Sequence, residues 1–155
     1  MLYYGDEVGM EGGPDPDCRR PMIWEPAQQD QELLSYFRQL IVLRHKHPAL
    51  RADGVWTCLA QNEPPVYAYL RGELPLGDTT PGSDVALIVL NNSPTPQHIA
   101  IPLHTAGRAP QPLWPDGTLV HDELTGQLYT ITNGKVTIPL PPYQAAILTT
   151  PHESP

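Results

Sequence analysis

Two groups of side chains near the amino end could do chemistry. Asp6-Glu7 is an adjacent carboxylate pair. Two carboxyls that work together across a sugar ring must stand about 5–5.5 Å apart. Neighbours along a strand point to opposite faces, so this pair cannot serve as such a dyad. A structural role, hydrogen-bonding the surrounding loop, is the favoured reading. Asp15-Pro-Asp-Cys-Arg19-Arg20 is more informative, because it mixes carboxylates and guanidiniums in a proline-stiffened loop. Asp accepts and Arg donates, so together they suit recognition of sugar hydroxyls. The competing reading is an internal ion pair that holds the loop, and one arrangement can do both. A calcium loop fits poorly, since the D-x-D start lacks the later ligands and the glycine.

The remaining candidates carry less. His45 and His47 lie two apart on a helical stretch and diverge, so they are not a metal pair. His98, His104 and His121 are scattered among β-like segments as surface or satisfied polar residues. Cys18 and Cys58 lack a C-x-x-C spacing, which argues against zinc and leaves a disulfide open. Trp56, Tyr67, Tyr69, Trp114 and Tyr129 could stack on sugars, although packing is the favoured use of aromatics spread over so many strands. No nucleophile elbow, phosphate loop or dinucleotide fingerprint is present, so neither a cofactor nor a metal is expected.

The elements that position these residues follow from the pattern. Leu2-Tyr3-Tyr4 has the composition of a buried strand, and Gly5 ends it. A long loop with Gly12, Gly13, Pro14, Pro16 and Pro21 follows. Asp30 then caps a helix whose Leu33, Leu34, Phe37, Leu40, Ile41 and Leu43 cover more than one stripe. Pro48 stops it near Lys46 or His47. Strand, polar loop and helix make half of a parallel βα repeat, whose partner strand has to precede it. The expectation is therefore the tail end of something larger.

Beyond Gly54 helical periodicity gives way to alternation. VWTCLAQ (55–61) and VYAYLR (66–71) read as strands joined through Pro64 and Pro65. A flexible excursion is expected over 72–84. VALIVLN (85–91) is apolar on both faces and reads as a central strand. Shorter strands are expected at QHIAI, TLVHDEL, LYTI, KVTIPL and YQAAILT, with Asn133-Gly134 as a hairpin turn. About eight short strands with regular turns predict an antiparallel sandwich. The 20 prolines among 155 residues suit its turns and edges. A net charge of -8 without a Lys/Arg cluster excludes nucleic acid. No apolar run approaches a membrane span and no signal peptide is evident, so a soluble, cytoplasmic protein is the default.

YYGDEVGMEGGPDPDCRRPMIWE closely resembles the segment after the eighth barrel strand of α-amylase-superfamily enzymes, above all the neopullulanase, cyclomaltodextrinase and maltogenic amylase group. LLSYFRQLIVLRHKHPALRADG resembles that family's last barrel helix, and DELTGQLYTITNGKVTIPLPPYQAAIL the end of its carboxyl-terminal sandwich. The resemblance implies a mainly β chain. Residues 1–50 would be the last strand-loop-helix unit of a (β/α)8 barrel, 51–150 the antiparallel β-sandwich and 151–155 a frayed tail. It implies a retaining α-glucan hydrolase whose catalytic Asp, Glu and second Asp lie on an upstream barrel domain, so no catalytic residue is assigned here. It carries sugar contact to Asp15 and Arg19, with an α-glucan oligosaccharide as the complete enzyme's substrate. The chain by itself is expected to be inactive, its opening strand loose or paired between copies. The alternative is a free-standing sandwich that binds carbohydrate or a protein partner without catalysis.

Overall fold

The computed structural model describes residues 2–73, 84–103 and 114–150. Most of the excursion expected at 72–84, His104 and the tail 151–155 lie outside them. The chain divides into two compact units, Met1–Lys46 and His47–Pro155.

In the first unit the expected strand at Leu2-Tyr3-Tyr4 is absent. A strand needs a neighbour for its peptide groups, and here they close locally instead. The Tyr3 carbonyl accepts the Asp6 N–H at 3.2 Å, and the Tyr3 N–H donates to Asp6 Oδ2 at 3.0 Å. A 3-10 turn, Asp6–Val8, follows between Gly5 (φ 92) and Gly9 (φ 69). The Gly5 N–H donates to Glu7 Oε2 at 3.1 Å. Both acidic side chains thus brace this turn, as the structural reading of the pair expects.

The buried Val8 offers its carbonyl to the Asp30 N–H at 3.1 Å. Asp30 in turn caps helix α1, Gln31–Lys46, with Oδ1 accepting the Leu33 N–H at 2.9 Å. The helix stops just short of Pro48, as expected. Leu33, Leu34, Phe37 and Leu40 are half-buried and Leu43 is buried, while Tyr36, Ile41 and Val42 are exposed. Its apolar residues therefore occupy more than one stripe.

Among the described residues the second unit is an eight-stranded antiparallel sandwich. The strands are β1 (Val55–Asn62), β2 (Pro65–Gly72), β3 (Val85–Asn91), β4 (Gln97–Pro102), β5 (Leu119–Asp122), β6 (Leu128–Thr130), β7 (Lys135–Leu140) and β8 (Ala145–Thr149). One sheet has the order β1-β2-β3-β8-β5-β6, and β4 pairs with β7 in the other. Alternate residues of both sheets fill the core: Ala68 and Leu70, Leu87 and Val89, Val120 and Leu148 from the larger, Ile101, Val136 and Ile138 from the smaller. β3 is central, between β2 and β8, and buries all but Leu90.

Trp114 lies in this core, with Trp56 and Tyr129 packed against it. Tyr67 and Tyr69 stack on one another at 5.2 Å, and Tyr67 Oη shares a 2.9 Å hydrogen bond with Thr57 Oγ1. Trp56, Trp114 and Tyr129 thus pack with the core, whereas on β2 Tyr67 is exposed and Tyr69 half-buried. Register slips between Thr57 and Leu59, where β1 carries a bulge.

The Asn133-Gly134 turn forms, with φ 52 and 66, but joins strands of different sheets. β6 pairs with β5 and β7 with β4, so only Thr132 and Lys135 bridge across the turn. Asn91 ties the opposite side of the unit together. Its Nδ2 donates to the carbonyls of Thr95, Leu140 and Pro141 at 3.1, 3.3 and 2.8 Å, and its Oδ1 accepts the Ser93 N–H at 3.0 Å.

Candidate functional site

The charged loop lies wholly within the first unit, and two glycines let it fold back on itself. A side chain at Gly13 would bring Cβ within 2.7 Å of Asp17 Oδ2, and one at Gly12 within 3.1 Å of the Cys18 backbone. Past the cis Asp15-Pro16 bond the chain makes a 3-10 turn, Asp17–Arg19. The Asp17 N–H reaches the Pro14 carbonyl at 2.8 Å and the Arg19 N–H reaches that of Pro16 at 3.0 Å.

Four charged side chains sort into two pairs on this turn. Arg20 grips Asp17 with two parallel bonds, Nε to Oδ1 at 2.8 Å and Nη2 to Oδ2 at 2.6 Å. This is the bidentate geometry that a guanidinium and a carboxylate favour. It holds the Asp17 carboxyl below the usual carboxylate range and pushes Arg20 further up. The Arg20 carbonyl also accepts the Tyr4 hydroxyl at 3.0 Å, which pins the end of the loop to its start.

Asp15 and Arg19 meet as an ion pair, Oδ1 to Nε at 2.9 Å, with side chains 64% and 74% exposed. The structure thus brings the two sequence-predicted residues together. The Asp17–Arg20 clamp is the part that the sequence reading did not single out. Its signal was present in the i, i+3 spacing of Asp and Arg beside the i, i+4 pair. Trp24, at the far end of the loop, is 81% exposed.

Among the described residues the histidines lie elsewhere. His47 is fully buried, with Nε2 at 3.1 Å from Glu123 Oε1 and Nδ1 at 3.8 Å from Asp84 Oδ1. His121 Nδ1 is 3.5 Å from the same Glu123 oxygen, which also accepts the Thr149 hydroxyl at 2.8 Å. Among the described residues no group of three or more His, Cys, Asp or Glu could hold a metal ion. Cys18 and Cys58 are both free thiols, and burial pushes Cys58 up to about 11. No helix among the described residues is long and apolar enough to cross a membrane.

No protein-family model matches the chain. It is 35% identical over 148 residues to neopullulanase 2 of Thermoactinomyces vulgaris, which covers 96% of this chain and 22% of the relative. It is 33% identical over 142 residues to a cyclomaltodextrinase of Geobacillus thermopakistaniensis, covering 92% of this chain and 21% of the relative. The crystal structure of an Anoxybacillus α-amylase superposes on 99% of it with a TM-score of 0.72 and 26% identity, using 29% of that chain.

This chain belongs to the α-amylase superfamily. It spans about a fifth of the curated relatives' length, so in them the matched region is one part of a much longer protein. In this chain the matched region is a charged loop and helix followed by an antiparallel β domain.

Proposed function

We propose that the chain is the carboxyl-terminal part of an α-glucan hydrolase. In this reading residues 1–50 supply the last loop and helix of a (β/α)8 barrel, and 51–150 the terminal sandwich. The observation that carries it is a match along 96% of this chain to only 22% of a neopullulanase. The upstream barrel provides the nucleophilic carboxylate and the acid/base carboxyl. With them the complete enzyme cleaves α-1,4 or α-1,6 glucosidic bonds of maltodextrins, cyclodextrins or pullulan by double displacement. With Cys18 and Cys58 as free thiols, a cytoplasmic setting belongs to the same reading.

The part played here is sugar contact by Asp15 and Arg19. Their ion-pair contact is open to solvent, so it can exchange for hydroxyls of a glucose unit at little cost. The Asp17–Arg20 clamp and the Tyr4 anchor keep the turn in shape while that exchange occurs.

The test is to assay reducing-sugar release from maltotriose, cyclodextrin and pullulan. The chain is compared alone and joined to the barrel of a cyclomaltodextrinase. The joined protein should hydrolyse and the chain alone should not. Arg19→Ala in the joined protein should raise KM roughly tenfold with a smaller change in kcat, the size of one charged hydrogen bond. Glucan affinity of the chain alone that survives Arg19→Ala would favour the free-standing binding module instead.

A further inference from the structure

The turn at which the chain changes sheets is also its chemical weak point. In an Asn-Gly dipeptide the glycine nitrogen, unhindered by a Cβ, can attack the Asn Cγ. Ammonia leaves as a cyclic imide forms, and water reopens the imide to Asp or isoaspartate. Asparagine is among the thermolabile residues for this reason. Asn133 is exposed and sits in the left-handed region at φ 52, with Gly134 at φ 66.

Both nitrogens of this turn are tied to one carboxylate. The Gly134 N–H donates to Asp116 Oδ1 at 2.8 Å, and the Asn133 N–H donates to Oδ2 at 2.9 Å. The Gly134 carbonyl is fixed as well, accepting the Leu103 N–H at 2.9 Å. Ring closure has to break a charge-assisted bond at the attacking nitrogen. It also has to remove that nitrogen's proton beside an ionised carboxylate, bringing two negative charges into contact.

The guard is guarded in return. Asp116 precedes Gly117, a second dipeptide able to close to the imide, this time with loss of water from the carboxyl. There the attacking Gly117 N–H donates to the Ile131 carbonyl at 2.9 Å, and both Asp116 oxygens are engaged by the turn opposite. The partners lie 17 and 18 residues apart in the chain, so the protection exists only in the folded sandwich.

We propose that Asn133 is a latent deamidation site kept closed by the Asp116 carboxylate, and that the two dipeptides protect one another. The 155-residue chain and its Asp116→Ala variant would be incubated in mildly alkaline buffer and peptide-mapped by mass spectrometry. Folded Asp116→Ala should convert Asn133 about tenfold faster than the parent, the factor that one charge-assisted hydrogen bond supplies. In urea the two should convert at one rate. Equal rates in the folded proteins would overturn the proposal. Should Asp116→Ala not fold, the parent chain decides alone. Conversion at least about tenfold slower folded than in urea supports the clamp, and equal rates overturn it.

Discussion

At the scale of single residues, the loop's two ion pairs have different characters although both are exposed. Asp17–Arg20 is a two-point grip, whereas Asp15–Arg19 meets at Oδ1 and Nε. The grip depends on the charge of Asp17, whose carboxyl is held below the usual range by Arg20. A carboxyl depressed by folding contributes above its unfolded value, and the contribution disappears as pH falls through the folded one. The clamp should therefore be intact at neutral pH and open on acidification below the ordinary carboxylate range. The Arg20 Nε–H resonance, slow to exchange when bonded, reports this directly. It should lose protection on acidification in the parent chain and show no such transition in Asp17→Asn. A resonance unchanged throughout would mean that the grip is absent in solution. The sequence made the charges of this loop plain but not their partition, because i, i+3 and i, i+4 pairings compete until the turn is known.

At the scale of elements, legibility follows how local the cause is. The start of α1 was legible because its cap is one side chain three residues from its target, and its end because Pro48 cannot continue a helix. The centrality of β3 was legible from its uninterrupted apolar run. Leu2-Tyr3-Tyr4 misled because composition marks a residue fit for a strand without supplying the neighbour. The turn at Asn133-Gly134 was visible and its use was not. A local signal specifies reversal of direction, while the sheet that each arm joins is decided by partners such as Ile99 opposite Ile138. Asn91 is of the same kind, bonded to carbonyls 49 and 50 residues away. Trp114, weighed as a sugar platform, is a core residue. Trp114→Ala should cost about 3–5 kcal/mol, the range for emptying a buried aromatic site, read as a shift of the urea midpoint. A shift under about 1 kcal/mol would place the indole outside the core.

At the scale of the whole molecule, the two units have unequal means of standing alone. Among the described residues His47–Pro155 holds nearly all of the buried apolar side chains, whereas Met1–Lys46 contributes Val8 and Leu43 and leaves Tyr3, Trp24 and Val42 exposed. Residues 47–155 expressed alone should therefore unfold in one cooperative thermal transition, and residues 1–46 alone should show none. A broad, non-cooperative melt of 47–155 would mean that the sandwich depends on the preceding unit. Relatives in which this stretch is about a fifth of the protein are consistent with that imbalance.

The bulge in β1 has a consequence for crowding. β1 is one of the two edge strands of the six, β6 being the other, and its outer side, which pairs with no further strand among the described residues, would serve as a template for a neighbouring molecule. A template works only while donors and acceptors repeat at constant intervals, and the slip between Thr57 and Leu59 breaks that repeat midway. An incoming strand can match one half of the border or the other, never both, so filaments seeded along this side should stall at the first layer.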